Sequence, residues 1–312
     1  MSTMFGRCII GLSFASMLAA LGTATASTSV PSAATSDGPV TLLTELKFNS
    51  TTLSAPGWGF GSKRGGVISV QPTAGPDPSA GTVYALVGSY PPPTGLGGQF
   101  IWADYSVAAL NTEDLYIDFW AKMPGVKEGC KFLKIFSTHP AGTNSYADMT
   151  FLAQYSGGDL GAIGQVMFGD GTVLANDAQN VINLNGSYPN WIGRSYGTAS
   201  VQTPQMHTFS SADWGSGWHH FRIHLKFNSG TTSQNEVPDG EVYLEIDGKV
   251  YVNATGLYNR NPANGPIDRV EFFGWAQSES QPFQVWFSDI RISTGGFVTS
   301  PIPMPPTAVS VN

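Results

Sequence analysis

The sequence predicts an all-β chain, two packed antiparallel sheets forming a jelly-roll sandwich. Three observations lead there. Apolar residues alternate at period two in many short runs, clusters of Gly, Pro, Asn and Asp separate those runs, and no convincing amphipathic helix intervenes. The 312 residues include 37 Gly and 21 Pro, a content that argues against long helices. More than ten half-apolar strands must bury one face each, and two stacked layers are the natural solution.

Taken in order, the chain opens with Arg7, an apolar run from Cys8 to Leu21, and Ala24-Thr25-Ala26. This is the pattern of a secretory signal cut after Ala26, so residues 1–26 are expected to be removed and the protein to be secreted, to the periplasm or beyond. The apolar run is too short and interrupted to span a bilayer, and no membrane insertion is expected. Removal of Cys8 leaves Cys130 as the one thiol, which rules out an intrachain disulfide. Residues 27–39 (STSVPSAATSDGP) are small and polar and read as a flexible linker. The folded domain is expected over 40–296, with 297–312 as a Pro-rich tail.

Inside the domain, strands are expected near 82–88, 131–136, 149–155, 267–276 and 283–293. Leu115, Ile117, Phe119 and Ala121 alternate with Tyr116, Asp118, Trp120 and Lys122, which suits a half-buried strand. In HHFRIHLKFN, Phe221, Ile223, Leu225 and Phe227 oppose His220, Arg222, His224 and Lys226. In EVYLEIDGKVYV, Val242, Leu244 and Ile246 face in, and Asp247-Gly248 suits a type I′ hairpin turn. Placing Lys226 opposite Glu241 sets His224 opposite Tyr243 and Arg222 opposite Glu245. No internal repeat is present.

Charge narrows the function. With 15 Lys+Arg against 22 Asp+Glu the net charge is −7, which excludes a duplex-binding basic surface. His219, His220 and His224 invite a metal reading, but cross-strand charge pairing on a solvated sheet face accounts for them and the further ligands of a zinc site are missing. Asp170-Gly171, Asn176-Asp177 and Asp289 match no cation loop and fit turns better, so no cofactor is expected. Glu245-Ile246-Asp247 resembles the start of a glucanase carboxylate run without its third carboxylate, and Asp247 falls in the expected turn. That excludes glycoside hydrolysis by this motif.

Two groups of residues carry candidate chemistry. The connection 186–218 holds Trp191, Tyr196 and Trp214 beside Arg194, flat faces for sugar rings and a fork for carboxylates. The same rings also suit a satellite core over the sandwich edge. In mid-chain, Lys131, His139, Gln154, Tyr155 and Gln165 lie on or beside successive strands. Cleaving a polyuronate by β-elimination needs a group to neutralise the C5 carboxylate, a base for the C5 proton and an acid for the leaving O4. These residue types fill those roles, and strand neighbours also carry them with no chemistry attached.

The region from about 114 to 293 resembles the concanavalin A-like jelly rolls, and within them the secreted alginate and glucuronan lyases. KMPGVKEGCKFLKIFS is similar to their V-K-G-G-K-L-P-G strand, with Lys131 at the lysine of the catalytic region. WHHFRIHLKFN with DGEVYLEIDGKVYVNATGLYNR, and VEFFGWAQSESQPFQVWFSDIRIS, resemble two further blocks. There are departures. ADMTFLAQY stands where those lyases carry an Arg-bearing strand, with Asp148 and Gln154 near its arginines, and GQVMF puts Gln165 and Met167 where a Tyr-x-Tyr pair is usual. The resemblance implies the scaffold, a polysaccharide partner and an elimination reaction. Non-catalytic carbohydrate binding or adhesion, and a structural envelope role, are the alternatives, and a monomer is expected.

Overall fold

In the computed structural model, residues 39–77, 79, 81–92, 99–124, 130–138, 149–153, 163–168, 180–183, 217–230, 237, 239–257, 264–276 and 282–298 are described. Fifteen strands follow in chain order: β1 (Thr41–Leu46), β2 (Trp58–Lys63), β3 (Val67–Ala74), β4 (Thr82–Tyr90), β5 (Gln99–Ser106), β6 (Asp114–Lys122), β7 (Cys130–Ser137) and β8 (Met149–Ala153), then β9 (Ile163–Phe168), β10 (Asn180–Asn183), β11 (His219–Lys226), β12 (Gly240–Ile246), β13 (Lys249–Leu257), β14 (Ile267–Ala276) and β15 (Phe283–Thr294). A 3-10 turn, Ala108–Leu110, leads into β6. Among the described residues no helix is long and apolar enough to cross a membrane.

The strands form two antiparallel sheets. The eight-stranded sheet runs β13-β12-β11-β6-β15-β4-β3, and the seven-stranded sheet runs β10-β9-β8-β7-β14-β5-β2. β15 is long enough to pair with β4 over Phe283–Phe287 and with β1 over Ile290–Thr294, which brings β1 into the larger sheet. Pro72 lies in β3, at the edge of that order, where a missing N–H does not interrupt an inner ladder. The expected jelly-roll sandwich is the observed fold.

Period-two alternation places Leu115, Ile117 and Phe119 of β6 and Phe221, Ile223 and Leu225 of β11 at 0% exposure. Phe119 stacks on Phe221 at 5.1 Å within its sheet and meets Phe272 of the other sheet edge-on at 5.3 Å. Phe287 closes on Phe272 and Phe273 at 5.1 and 4.9 Å. Aromatic rings of this size fill the space between the layers without a covalent staple.

The expected hairpin register is the one observed: Lys226 opposite Glu241, His224 opposite Tyr243, Arg222 opposite Glu245. Asp247 and Gly248 take φ of 52° and 77°, the two positive values of a type I′ turn. One expectation needs correcting. The polar side of β6 and β11 is only partly solvated: His220, Arg222 and Lys226 are partly exposed, whereas Tyr116, Asp118, Trp120 and His224 are buried. Against Tyr116 and Arg222 lies a cover. After β15 the chain turns back at Gly296, whose carbonyl accepts from the Ser293 hydroxyl at 2.7 Å, and sets Phe297 against Tyr116 at 5.1 Å and under Arg222 at 4.1 Å.

Candidate functional site

The outer face of the seven-stranded sheet collects the charged and aromatic residues that the core does not use. In β5, Ile101 and Ala103 are fully buried between the sheets, which leaves Phe100, Trp102 and Asp104 on the other side. In β14, Val270 and Phe272 point inward and Arg269 and Glu271 outward by the same alternation. β7 pairs with β14 so that Lys134 stands opposite Glu271, and the two form an ion pair with side chains 8% and 6% exposed. Lys134 also lies 4.6 Å from the Phe100 ring and 5.4 Å from that of Phe136, and the Arg269 guanidinium sits 4.0 Å from the same Phe136 ring.

Lys131 reaches this group through a bulge. Phe132 and Leu133 are consecutive and both fully buried, which strict alternation forbids. The β7–β14 register moves from Phe272 opposite Leu133 to Ala276 opposite Cys130, so three residues of β14 face two of β7. Across from the bulge, Phe273 and Gly274 take positive φ of 69° and 132°. At Gly274 a Cβ would lie 2.8 Å from the Lys131 carbonyl and 2.9 Å from Cε of Lys134, so only glycine lets the two lysines approach this strand. The Tyr90 hydroxyl, from the opposite sheet, donates to the Gly274 carbonyl at 3.2 Å and holds the bulge.

Burial sets the protonation chemistry of the face. Loss of water pushes the Lys131 amine below the ordinary lysine range while the Glu271 charge pulls it back up. The Lys134 amine is lowered in the same way, again against Glu271, with Lys131 and Arg269 adding repulsion. Asp104 is raised by burial, an effect opposed by the Arg269 charge. An amine eased toward its neutral form suits proton abstraction, while the Arg269 guanidinium keeps its charge.

Of the residues expected from sequence, Lys131 is the one whose side chain the structure places on this face. Gln165 lies in β9, and the registers align it with Leu152 of β8 and, through Leu152, with Lys131 of β7. His139, Gln154, Tyr155, Trp191, Arg194, Tyr196 and Trp214 lie outside the described residues. Sequence reading missed Lys134, Glu271, Arg269, Asp104 and Trp102. The spacing of Lys131 and Lys134 was visible, but the bulge that puts them on one side was not.

His219, His220 and His224 belong to the other sheet, each beside an aspartate. His219 Nδ1 is 2.7 Å from Asp247, His220 Nε2 is 3.0 Å from Asp118, and His224 Nε2 is 2.8 Å from Asp114. Asp289 pairs with Lys47 at 3.1 Å. Among the described residues no group of three or more His, Cys, Asp or Glu gathers as a metal site.

No family model matches this sequence, and no curated protein matches it. Solved structures do. An endo-β-1,4-glucuronan lyase from the fungus Trichoderma reesei aligns with TM-score 0.51 at 11% identity, covering 81% of this chain and 96% of that one. An alginate lyase from Chlorella virus aligns at TM-score 0.49 and 15% identity, covering 81% and 100%. An alginate lyase in complex with an alginate trisaccharide gives 0.44 and 13%, covering 80% and 96%. At such identities the likeness is one of fold: this chain shares the jelly-roll sandwich of the glucuronan lyase.

Proposed function

We propose that the protein binds an acidic polysaccharide on the outer face of the seven-stranded sheet and cleaves it by β-elimination. The observation that carries this reading is the bulge that brings Lys131 beside the Lys134–Glu271 pair, with both amines lowered by burial. In the reaction, the neutral Lys131 amine takes the C5 proton of a uronate, the C4–O4 bond breaks, the C4–C5 double bond forms, and O4 leaves with a proton from an acid. His139 and Tyr155 are the candidates for that acid, and Gln154 and Gln165 for holding the C5 carboxylate. Trp191, Arg194, Tyr196 and Trp214 are the candidates for gripping the chain further along. Export to the periplasm or beyond, expected from the first 26 residues, would put the protein where such polymers occur.

Incubation with alginate and with glucuronan, followed by ultraviolet absorbance of the unsaturated product, tests the reading. A rise that disappears in K131M supports it, and no rise on either polymer retires the elimination. A second reading, glycan binding without turnover, is favoured by the motif departures at Asp148, Gln154, Gln165 and Met167. Retardation in a glycan-containing gel without product formation selects it.

A further inference from the structure

Two strands away from Lys131, the same face contains a feature that elimination does not require. Trp102 lies across Gly61 of the neighbouring strand β2: a Cβ at that glycine would come 2.0 Å from Cζ2 of the indole. The glycine therefore supplies a flat backbone bed, the indole rests on it, and Trp102 remains half-buried. Phe100 supports one edge at 5.5 Å, and the exposed Lys63 carries its ammonium 5.8 Å from the ring. Ile101 and Ala103 of the same strand sit in the core, so Trp102 is on the strand's outer side.

Charge selects the occupant. Among the described residues that these contacts place on the face, Lys63, Lys134 and Arg269 outnumber Asp104 and Glu271 even with Lys131 left out as the neutral base, on a chain whose net charge is −7. Trp102 on β5 and Lys131 on β7 are two strand steps apart, about 10 Å, roughly the length of two pyranose units.

We propose that Trp102, bedded on Gly61 and flanked by Lys63, is a stacking platform for one sugar ring of an acidic glycan. The glycan crosses the strands, and another of its uronates lies at Lys131. The inference rests on the reading of this face as an acidic-glycan site and adds to it a subsite that rewards longer chains. The apolar side of the pyranose lies on the indole while its carboxylate meets Lys63. Short uronates held at the lysines of β7 do not reach the platform.

Calorimetric titration of the full chain with disaccharides and hexasaccharides of alginate and of glucuronan tests it, using wild type, W102A, W102L, W102F and K131M. W102A and W102L are expected to bind the hexasaccharide about tenfold more weakly, with disaccharide binding unchanged and W102F retaining most of the affinity. W102L keeps an apolar side chain over Gly61, so the test survives if W102A fails to fold. If K131M weakens both ligands while W102A and W102L bind the hexasaccharide like wild type, the platform is wrong and the face reading stands. If wild type binds neither ligand, the face reading falls and the platform with it.

Discussion

Lys134 and Glu271 stand opposite each other in register on β7 and β14, and both are nearly cut off from water. Burial outweighs the attraction of Glu271 on the Lys134 amine, which is lowered overall. The pair is thus held by necessity more than by net gain, because removing one partner strands a charge. E271Q is expected to destabilise the fold by about 3–5 kcal/mol, and K134M/E271L to recover most of that loss. Urea unfolding at neutral pH measures both. An E271Q variant as stable as wild type would mean that water reaches the lysine.

The two lowered amines also predict how stability follows pH. Below the ordinary lysine value of 10.5 the unfolded chain holds more protons at Lys131 and Lys134 than the folded one, so stability rises with pH as the folded-state amines lose theirs. Tyr243 works in the opposite sense: burial, with the Glu245 hydrogen bond, raises its hydroxyl, and that acts only above the ordinary tyrosine value of 10.0. Between neutrality and about pH 10, wild type should therefore gain stability relative to K131M and K134M. Urea midpoints of the three proteins across that range check the sign, and a constant difference would argue that the amines stay solvated.

Gly274 links backbone conformation to the site. At φ of 132° an L side chain is strained, and the added methyl would press on the Lys131 carbonyl and the Lys134 stem. G274A is expected to lose about 1–3 kcal/mol and to weaken acidic-glycan binding as the two lysines are pushed apart. Thermal unfolding and titration with alginate hexasaccharide read the two effects separately. A stable variant with unaltered binding would remove the bulge from the account.

The strands were more legible than the site, for a physical reason. Alternation is local, so 267–276 was read at its observed bounds, and opposite charges on neighbouring strands were enough to set Lys226 against Glu241. The candidate site draws on β2, β5, β7 and β14, whose residues Lys63, Trp102, Lys134 and Glu271 are scattered through the sequence and meet only through non-local pairing. The bulge at Phe132–Leu133 breaks the very period that strand reading relies on. Lys131 emerged because of its motif.

Phe297 shows the same limit from the other end of the chain. The composition after Gly295 reads as a tail, yet Phe297 is 7% exposed, its ring 5.1 Å from Tyr116 and 6.3 Å from Tyr243, with the Arg222 guanidinium 4.1 Å above it. One aromatic side chain thus covers the middle of β6, β11 and β12 on the outer side of the larger sheet. F297A is expected to cost about 2 kcal/mol from the apolar area returned to water, while F297L keeps most of that burial and should cost less than half as much. The Phe297 ring also shields the polar row beneath it. Amide exchange at Tyr116, Arg222 and Tyr243 should therefore rise in F297A more than exchange in β14, which the substitution does not touch. Equal protection in both places would show that the row is sealed by its own cross-strand pairs.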